Sequence, residues 1–394
     1  MHHSLQRGLS LVELMISLTV GSVITAGIVQ LFSANSDTHR VMMGQSRIQE
    51  SARFALDFIG RDIYKAGYLG CFSNAPTPVF FTAANGNNIP YEFDLRSGLG
   101  GHDASGVGLW APNLTGLPTT IGATNTNVFV AGTGINTNNI VSGTDVLVIR
   151  NTLQQDSEIR LAQNMLTSRG DISVLVDQNR GLAALGFSQG DLAMIHDCEK
   201  ATIFHATGVT LVATPDPLTE QVDIAHSLDP TDAWRNSFLT LAQRNTFEDD
   251  ANVSAIETHI YFIAPGTGEN RSGDVPLSLW KKSGTTAPVE LVEGIENLQI
   301  LYGESTDGNG TPNQYRRANQ VVMNNVVTVR VTVIANTIDD VGGSSATTHG
   351  CGIQNCAYTL VGGALSAYND NPNDANGRDG LIRRAFTQTF MLRN

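Results

Sequence analysis

Positive charge is scarce in this chain: 24 Lys and Arg stand against 37 Asp and Glu, a formal charge of −13 over 394 residues. That deficit argues against nucleic acid as a partner, because phosphates demand a basic face. It argues equally against docking on anionic lipid headgroups. Only one long hydrophobic run is present. Over the whole chain a hydrophobic fraction of 41% and a mean hydropathy of −0.06 describe a largely globular protein long enough to bury a large core. Proline is missing until Pro76, which removes the strongest helix breaker from the first fifth of the chain. No P-loop, HExxH, dinucleotide fingerprint or paired metal motif occurs, and the histidines form no cluster readable from spacing.

What is there begins with the hydrophobic run, Leu9 to Phe32, which contains one ionisable side chain, Glu13. The nineteen uncharged residues from Leu14 to Phe32 rise about 28 Å as a helix, matching the roughly 30 Å hydrocarbon core of a bilayer. A cleaved signal peptide would end its apolar run in a small-residue site. None follows Phe32, so the run reads as a retained membrane-spanning helix over residues 9–32. Glu13 is costly at membrane depth unless partnered or protonated; alternatively, it lies at the boundary with its carboxylate in water.

The order Arg7-Gly8, then Leu9-Ser10-Leu11-Val12-Glu13-Leu14, then an unbroken apolar helix resembles the class III leader of type IV pilins and pseudopilins. That resemblance implies a leader of residues 1–8 cut by a membrane prepilin peptidase between Gly8 and Leu9, with the new terminus usually N-methylated. The family more often has phenylalanine or methionine where Leu9 stands. Glu13 matches the family's glutamate and is the candidate assembly residue. The freed amine of Leu9 on a neighbouring subunit would compensate its charge, the condition under which a buried carboxylate is tolerated.

Beyond Phe32, Ile48, Ala52, Leu56, Ile59 and Ile63 recur at spacings of three and four. Arg47, Glu50, Arg53, Asp57, Arg61 and Lys65 mostly face away. The pattern predicts one helix from about Ser10 to about Ala66, stopped at Gly67, with residues 33–67 as its amphipathic half. The stretch SARFALDFIGRDIYKAGYLGC, the segment GDLAMIHDC, the run EGIENLQILYGESTDGNG and the C-terminal tail resemble PilW-type minor pilins and the related J-type pseudopilins.

The body, residues 68–394, reads as strands. Apolar and β-branched runs at 145–150, 172–176, 191–198, 201–205, 208–213, 257–264, 277–282, 296–303, 325–336 and 384–394 are bounded by Gly, Asp and Asn. A polar, acidic segment with Pro215, Pro217 and Pro230 interrupts them, and residues 83–143, with Val128 to Ala131 as one short strand candidate, read as a loop-rich insertion. Strands without long intervening helices make the fold class α+β: a type IV pilin-like long helix on a largely antiparallel sheet with long loops.

Four cysteines, Cys71, Cys198, Cys351 and Cys356, all follow the span. Their spacing suits no zinc site. An even number beyond a membrane anchor indicates an oxidising compartment and two disulfides. The short loop pairs Cys351 with Cys356, leaving Cys71 for Cys198; four buried free thiols are the alternative.

Two motifs have the letters of chemistry. Gly186-Phe187-Ser188-Gln189-Gly190 spells a nucleophile elbow, but strand, not helix, follows the serine, so it reads as a turn and no enzyme is expected. His196 beside Cys198 reads as structural. Ser305 to Gly310 begins like a calcium loop, with Asp307 and Asn309 as candidate ligands. Ser305 stands at the first position and Arg316 where the bidentate Glu belongs, so a polar turn is favoured over calcium. Asp370 to Gly380, with Asp370, Asp374, Asn376 and Asp379, is a similar turn. No cofactor is expected.

These readings lead to a minor type IV pilin, single-pass in the inner membrane with its body in the periplasm, then on the pilus or cell surface. Its expected partners are the prepilin peptidase, other minor pilins and the major pilin through the N-terminal helix, and the inner-membrane assembly platform. A body much larger than a typical major pilin's favours a priming or tip complex. A type II secretion pseudopilin, and a membrane-anchored periplasmic binding protein or adhesin, are the alternatives.

Overall fold

The computed structural model describes residues 11–71, 79–82, 94–106, 109–112, 114, 140–153, 158–168, 170–214, 218–227, 236, 246–284, 286–341, 359–360, 363–364 and 381–392. One helix, α1, runs unbroken from Leu11 to Lys65, 55 residues or about 82 Å. It ends where expected, with Gly67 at φ +74° donating its N–H to the Arg150 carbonyl at 2.8 Å. The two halves differ in composition and in what surrounds them. Leu14, Leu18, Val23, Leu31 and Phe32 are exposed, whereas Ile48, Ala52, Leu56, Ile59 and Ile63 are buried.

Eighteen strands follow among the described residues. The first four are β1 (Val79–Thr82), β2 (Leu99–Gly106), β3 (Leu109–Ala111) and β4 (Val146–Thr152). The middle of the chain gives β5 (Ile172–Asp177), β6 (Leu192–His196), β7 (Lys200–His205), β8 (Gly208–Val212) and β9 (Thr219–Ala225). Then come β10 (Asn252–Pro265), β11 (Leu277–Ser283), β12 (Val289–Glu293), β13 (Ile295–Glu304), β14 (Gln314–Arg316) and β15 (Val326–Asn336). The short β16 (Thr359–Leu360) and β17 (Gly363–Ala364) precede the last strand, β18 (Arg383–Met391).

The largest sheet is ordered β1-β7-β6-β10-β4-β2-β3, with β11 and β12 attached through β10. Its pairs are antiparallel except β1 with β7. The 14-residue β10 is the shared member, pairing with β6 at Asn252–Ala255, with β4 at Ile256–Tyr261 and with β11 at His259–Pro265. A second sheet, β14-β13-β15-β18, and a third, β5-β9-β8, are wholly antiparallel. The buried stripe of α1 packs on one hydrophobic core with Leu147, Tyr261, Leu298 and Val331. A separate core gathers Ile172, Val174, Phe204, Val222 and Val253. The alternation expected of a half-buried final strand fits β18, whose Phe386 and Phe390 pack against the first core.

Strands β1, β12 and β14 were not placed by the sequence reading, and two stretches read as irregular contain sheet strands. The polar, proline-flanked segment contains β9, because Val222 and Ile224 alternate inward between polar neighbours and complete the second core. Within the loop-rich stretch, the glycine-rich β2 is a sheet strand. It lacks an apolar alternation because Tyr302 occupies the space a side chain at Gly101 would need, its hydroxyl 1.9 Å from an added Cβ. Val128 to Ala131 lie outside the described residues.

Asp145, just before β4, joins three strands. Its carboxylate accepts the backbone N–H groups of Ala104 at 2.9 Å and Ile300 at 2.8 Å. Burial, then the nearby Asp103 carboxylate, push its pKa up to about 7 against the backbone donors. A folded-state value above the unfolded one means that the folded protein keeps a proton the unfolded chain has lost. This contribution to stability is therefore complete below about pH 4 and is lost as pH rises through about 7, on the order of 2–4 kcal/mol. Urea melts of the full chain in detergent should show that fall, and Asp145→Asn should flatten it. An unchanged slope would show that another group holds the proton.

Candidate functional site

The candidate assembly site is α1 itself: a projecting apolar half bearing one acid, and a second half fixed in the body. Gly8 and Leu9 lie outside the described residues. Glu13 sits in the first turn of α1, where the helix dipole favours a carboxylate. Around it Leu11, Val12, Leu14 and Met15 are all exposed. The hydroxyls of this half are satisfied by the helix: Ser17 donates to the Glu13 carbonyl at 2.8 Å, Thr19 to Met15 at 3.0 Å, Ser22 to Thr19 at 2.8 Å and Thr25 to Gly21 at 2.8 Å. Such back-bonding lets polar side chains enter hydrocarbon without open donors. A carboxylate has no donor to give to a helix carbonyl, so its entry into an apolar helix bundle requires a proton or a cation.

At its other end α1 is locked by charge as well as by packing. Asp62, 8% exposed, accepts from the Tyr261 hydroxyl at 2.5 Å and from the Lys281 ammonium at 2.7 Å. His259 Nε2 lies 4.0 Å from Asp62 and 3.6 Å from Glu257. Burial pushes the Asp62 carboxyl up, but His259, Lys281 and Tyr261 together outweigh it and hold it below the usual carboxylate range. Burial and the Asp62 charge push the Tyr261 hydroxyl well above its ordinary value. Close by, Gly60 faces the Phe390 ring of β18, so near that a Cβ would stand 2.3 Å from Cε1. The sequence reading missed Asp62, although the signal was present. An acid at the 55-59-62 spacing falls on the buried edge of the stripe, where it must have a partner.

Cys71 and Cys198 are joined, with Cα atoms 5.0 Å apart and a sequence separation of 127. The bridge ties the segment six residues past α1 to the β6–β7 turn, as expected. Cys351 and Cys356, and the Asp370 to Gly380 turn, lie outside the described residues. Beside the bridge, His196 is pushed down to about 4 by burial and its Nε2 contacts the Ser254 hydroxyl at 3.2 Å.

Ser188 lies in a turn entering β6, its backbone N–H donating to Asp191 at 2.8 Å. Gly186 closes the short 3-10 helix Gly181–Leu185 in the left-handed region, so the strand-serine-helix order of an elbow is absent. Asp307 and Asn309 occupy the β13–β14 turn. There Asp307 accepts from Ser305 at 3.1 Å and Asn309 at 2.8 Å, and Asn309 accepts from the Thr311 hydroxyl at 2.6 Å. Among the described residues, no three His, Cys, Asp or Glu side chains gather where they could hold a metal ion.

Two family descriptions match the chain. Residues 260–394 match type IV pilus-assembly protein W, and residues 3–29 match the prokaryotic N-terminal methylation motif. The first runs from the last part of β10 through β18, which include strands that seat α1; the second covers most of the projecting half. No curated protein and no solved structure matches significantly.

Proposed function

We propose that this chain, a PilW-type member of the type IV pilins, is a minor pilin that helps to initiate a type IV pilus from a priming or tip complex. The observation carrying this reading is the asymmetry of α1: a bare apolar half with a single acid, continuous with a half locked into the body. The bare half crosses the inner membrane, with the body in the periplasm, and serves as a reservoir until the subunit is drawn into the fibre. The prepilin peptidase cuts between Gly8 and Leu9. The new amine of a neighbouring minor or major pilin then pairs with Glu13, so that two charges enter an apolar helix bundle as one neutral pair. The assembly platform supplies the extraction. Catalysis has no part in this role; the chemistry is helix packing and charge pairing. The large, multi-sheet body suits a position that need not be repeated along a thin fibre.

The amino terminus tests the first step. Protein purified from its native membrane should begin at Leu9, with or without an added methyl group. Gly8→Val should leave it beginning at Met1, as read by intact mass and N-terminal sequencing. A wild-type chain that begins at Met1, or is cut after Phe32, would contradict the assembly reading.

A further inference from the structure

Where α1 leaves its apolar run, a cleft of about 600 Å³ opens between the helix and the body. The uncharged stretch from Leu14 to Ser36 is 23 residues, about 34 Å of helix, so it exceeds the roughly 30 Å hydrocarbon layer and ends in the headgroup zone. Phe32 and Met43 give the cleft an apolar side, and Arg40, Arg47 and the His39 imidazole stand on the helix wall. The opposite wall comes from the β10–β11 hairpin and the segment after β15, with Arg271, Asp339 and Asp340. Asp339 is held in place: it accepts the Arg271 backbone N–H at 3.0 Å and lies 3.6 Å from the Arg271 side chain and 3.9 Å from Arg47. Gly44 brings the walls together, being directly against Thr337 and Val341.

Resting on the membrane reading above, we propose that this cleft binds the headgroup of a zwitterionic aminophospholipid. Arg40 and His39 take the phosphate, Asp339 and Asp340 take the primary ammonium, and Phe32 lies along the start of an acyl chain. The location supplies the occupant: Arg40 is four residues beyond the uncharged run, about 6 Å along the axis, within reach of lipid phosphates. The lining supplies the selectivity. Beside Asp339, already paired with Arg271 and Arg47, a primary ammonium can give charge-assisted N–H bonds to the remaining carboxylate lone pairs, which neither a choline nor the hydroxyls of a phosphatidylglycerol headgroup can. A both-sign cleft also fits the acidic composition, which disfavours anionic surfaces. Such a site would hold the body down on the membrane until extraction.

The test uses the full chain in nanodiscs containing photoactivatable phosphatidylethanolamine with a diazirine near the glycerol, and maps crosslinks by mass spectrometry. Labelling should concentrate at 39–44 and 337–341, at least threefold above that given by phosphatidylcholine or phosphatidylglycerol analogues. Exposed Arg40 can be replaced without loss of fold: Arg40→Ala should cut the labelling at least fivefold and Arg40→Lys should largely restore it. Labelling spread evenly along 14–32 with none above, insensitivity to Arg40→Ala, or equal labelling by the choline lipid would each overturn the site while leaving the membrane reading intact. No labelling of α1 anywhere would overturn both.

Discussion

Replacing Cys71 and Cys198 together by serine lowers the unfolding free energy of the body by about 5 kcal/mol in the chain-entropy account of a loop this long. The bridge spans 127 residues, so the unfolded chain regains a large ensemble when it is removed. The loss also has a structural direction. The bridge fastens the segment just beyond α1 to the β6–β7 turn of the sheet, whereas the packing of α1 lies in the first core with β13 and β15. The helix should stay seated while the β6–β7 edge and the second core loosen. Urea unfolding of the full chain in detergent, followed by near-ultraviolet dichroism, gives the loss of stability. Hydrogen exchange should place the increase at 192–205 and spare 48–63. Unchanged stability in the double variant would show that the bridge does not constrain the unfolded chain.

Asp62→Ala should cost about 3–5 kcal/mol, the usual loss when one partner of a buried ion pair is removed. Deletion leaves the Lys281 ammonium without the carboxylate it meets at 2.7 Å and the Tyr261 hydroxyl without its 2.5 Å acceptor. Adding Lys281→Met should recover part of the loss, since no orphaned ammonium then remains at the helix seam. The pH dependence carries the opposite sign to that of Asp145. The Asp62 carboxyl is held below its ordinary value in the folded state, so its contribution is present above about pH 4 and is lost as pH falls through the folded value. Wild type should therefore lose more stability between pH 5 and pH 3 than Asp62→Ala does. Equal acid sensitivity of the two would remove Asp62 from the account.

The reading from sequence and the structure agree best where a single period dominates. The spacing of Ile48, Ala52, Leu56, Ile59 and Ile63 placed the C-terminal end of α1 to within a residue, because nothing but the body's core competes for that stripe. β4, β10, β13 and β15 were legible for the same reason: buried on both faces or nearly so, they are written as continuous apolar runs. β2 was not, since its backbone is bound by close approach of Tyr302 and not by its own side chains. β9 was hidden by its polar residues, Asp223 on the opposite face among them, while the alternating Val222 and Ile224 fill the core. The site divides in the same manner. Glu13 stands out because it breaks an apolar run. Asp62 sits among other charges of an amphipathic helix, and its meaning depends on Tyr261 and Lys281, about two hundred residues away in sequence.

If Glu13 serves assembly alone, its loss should be felt in the fibre and not in the membrane. The direct measurement compares wild type, Glu13→Ala and Glu13→Gln in fibres sheared from the cell surface and in the membrane fraction, by quantitative mass spectrometry. The account predicts equal membrane levels, an intact Cys71–Cys198 bridge and normal processing at Leu9 in all three, with at least a tenfold loss of both variants from the fibre fraction. Fibre incorporation of Glu13→Ala at the wild-type level would contradict it.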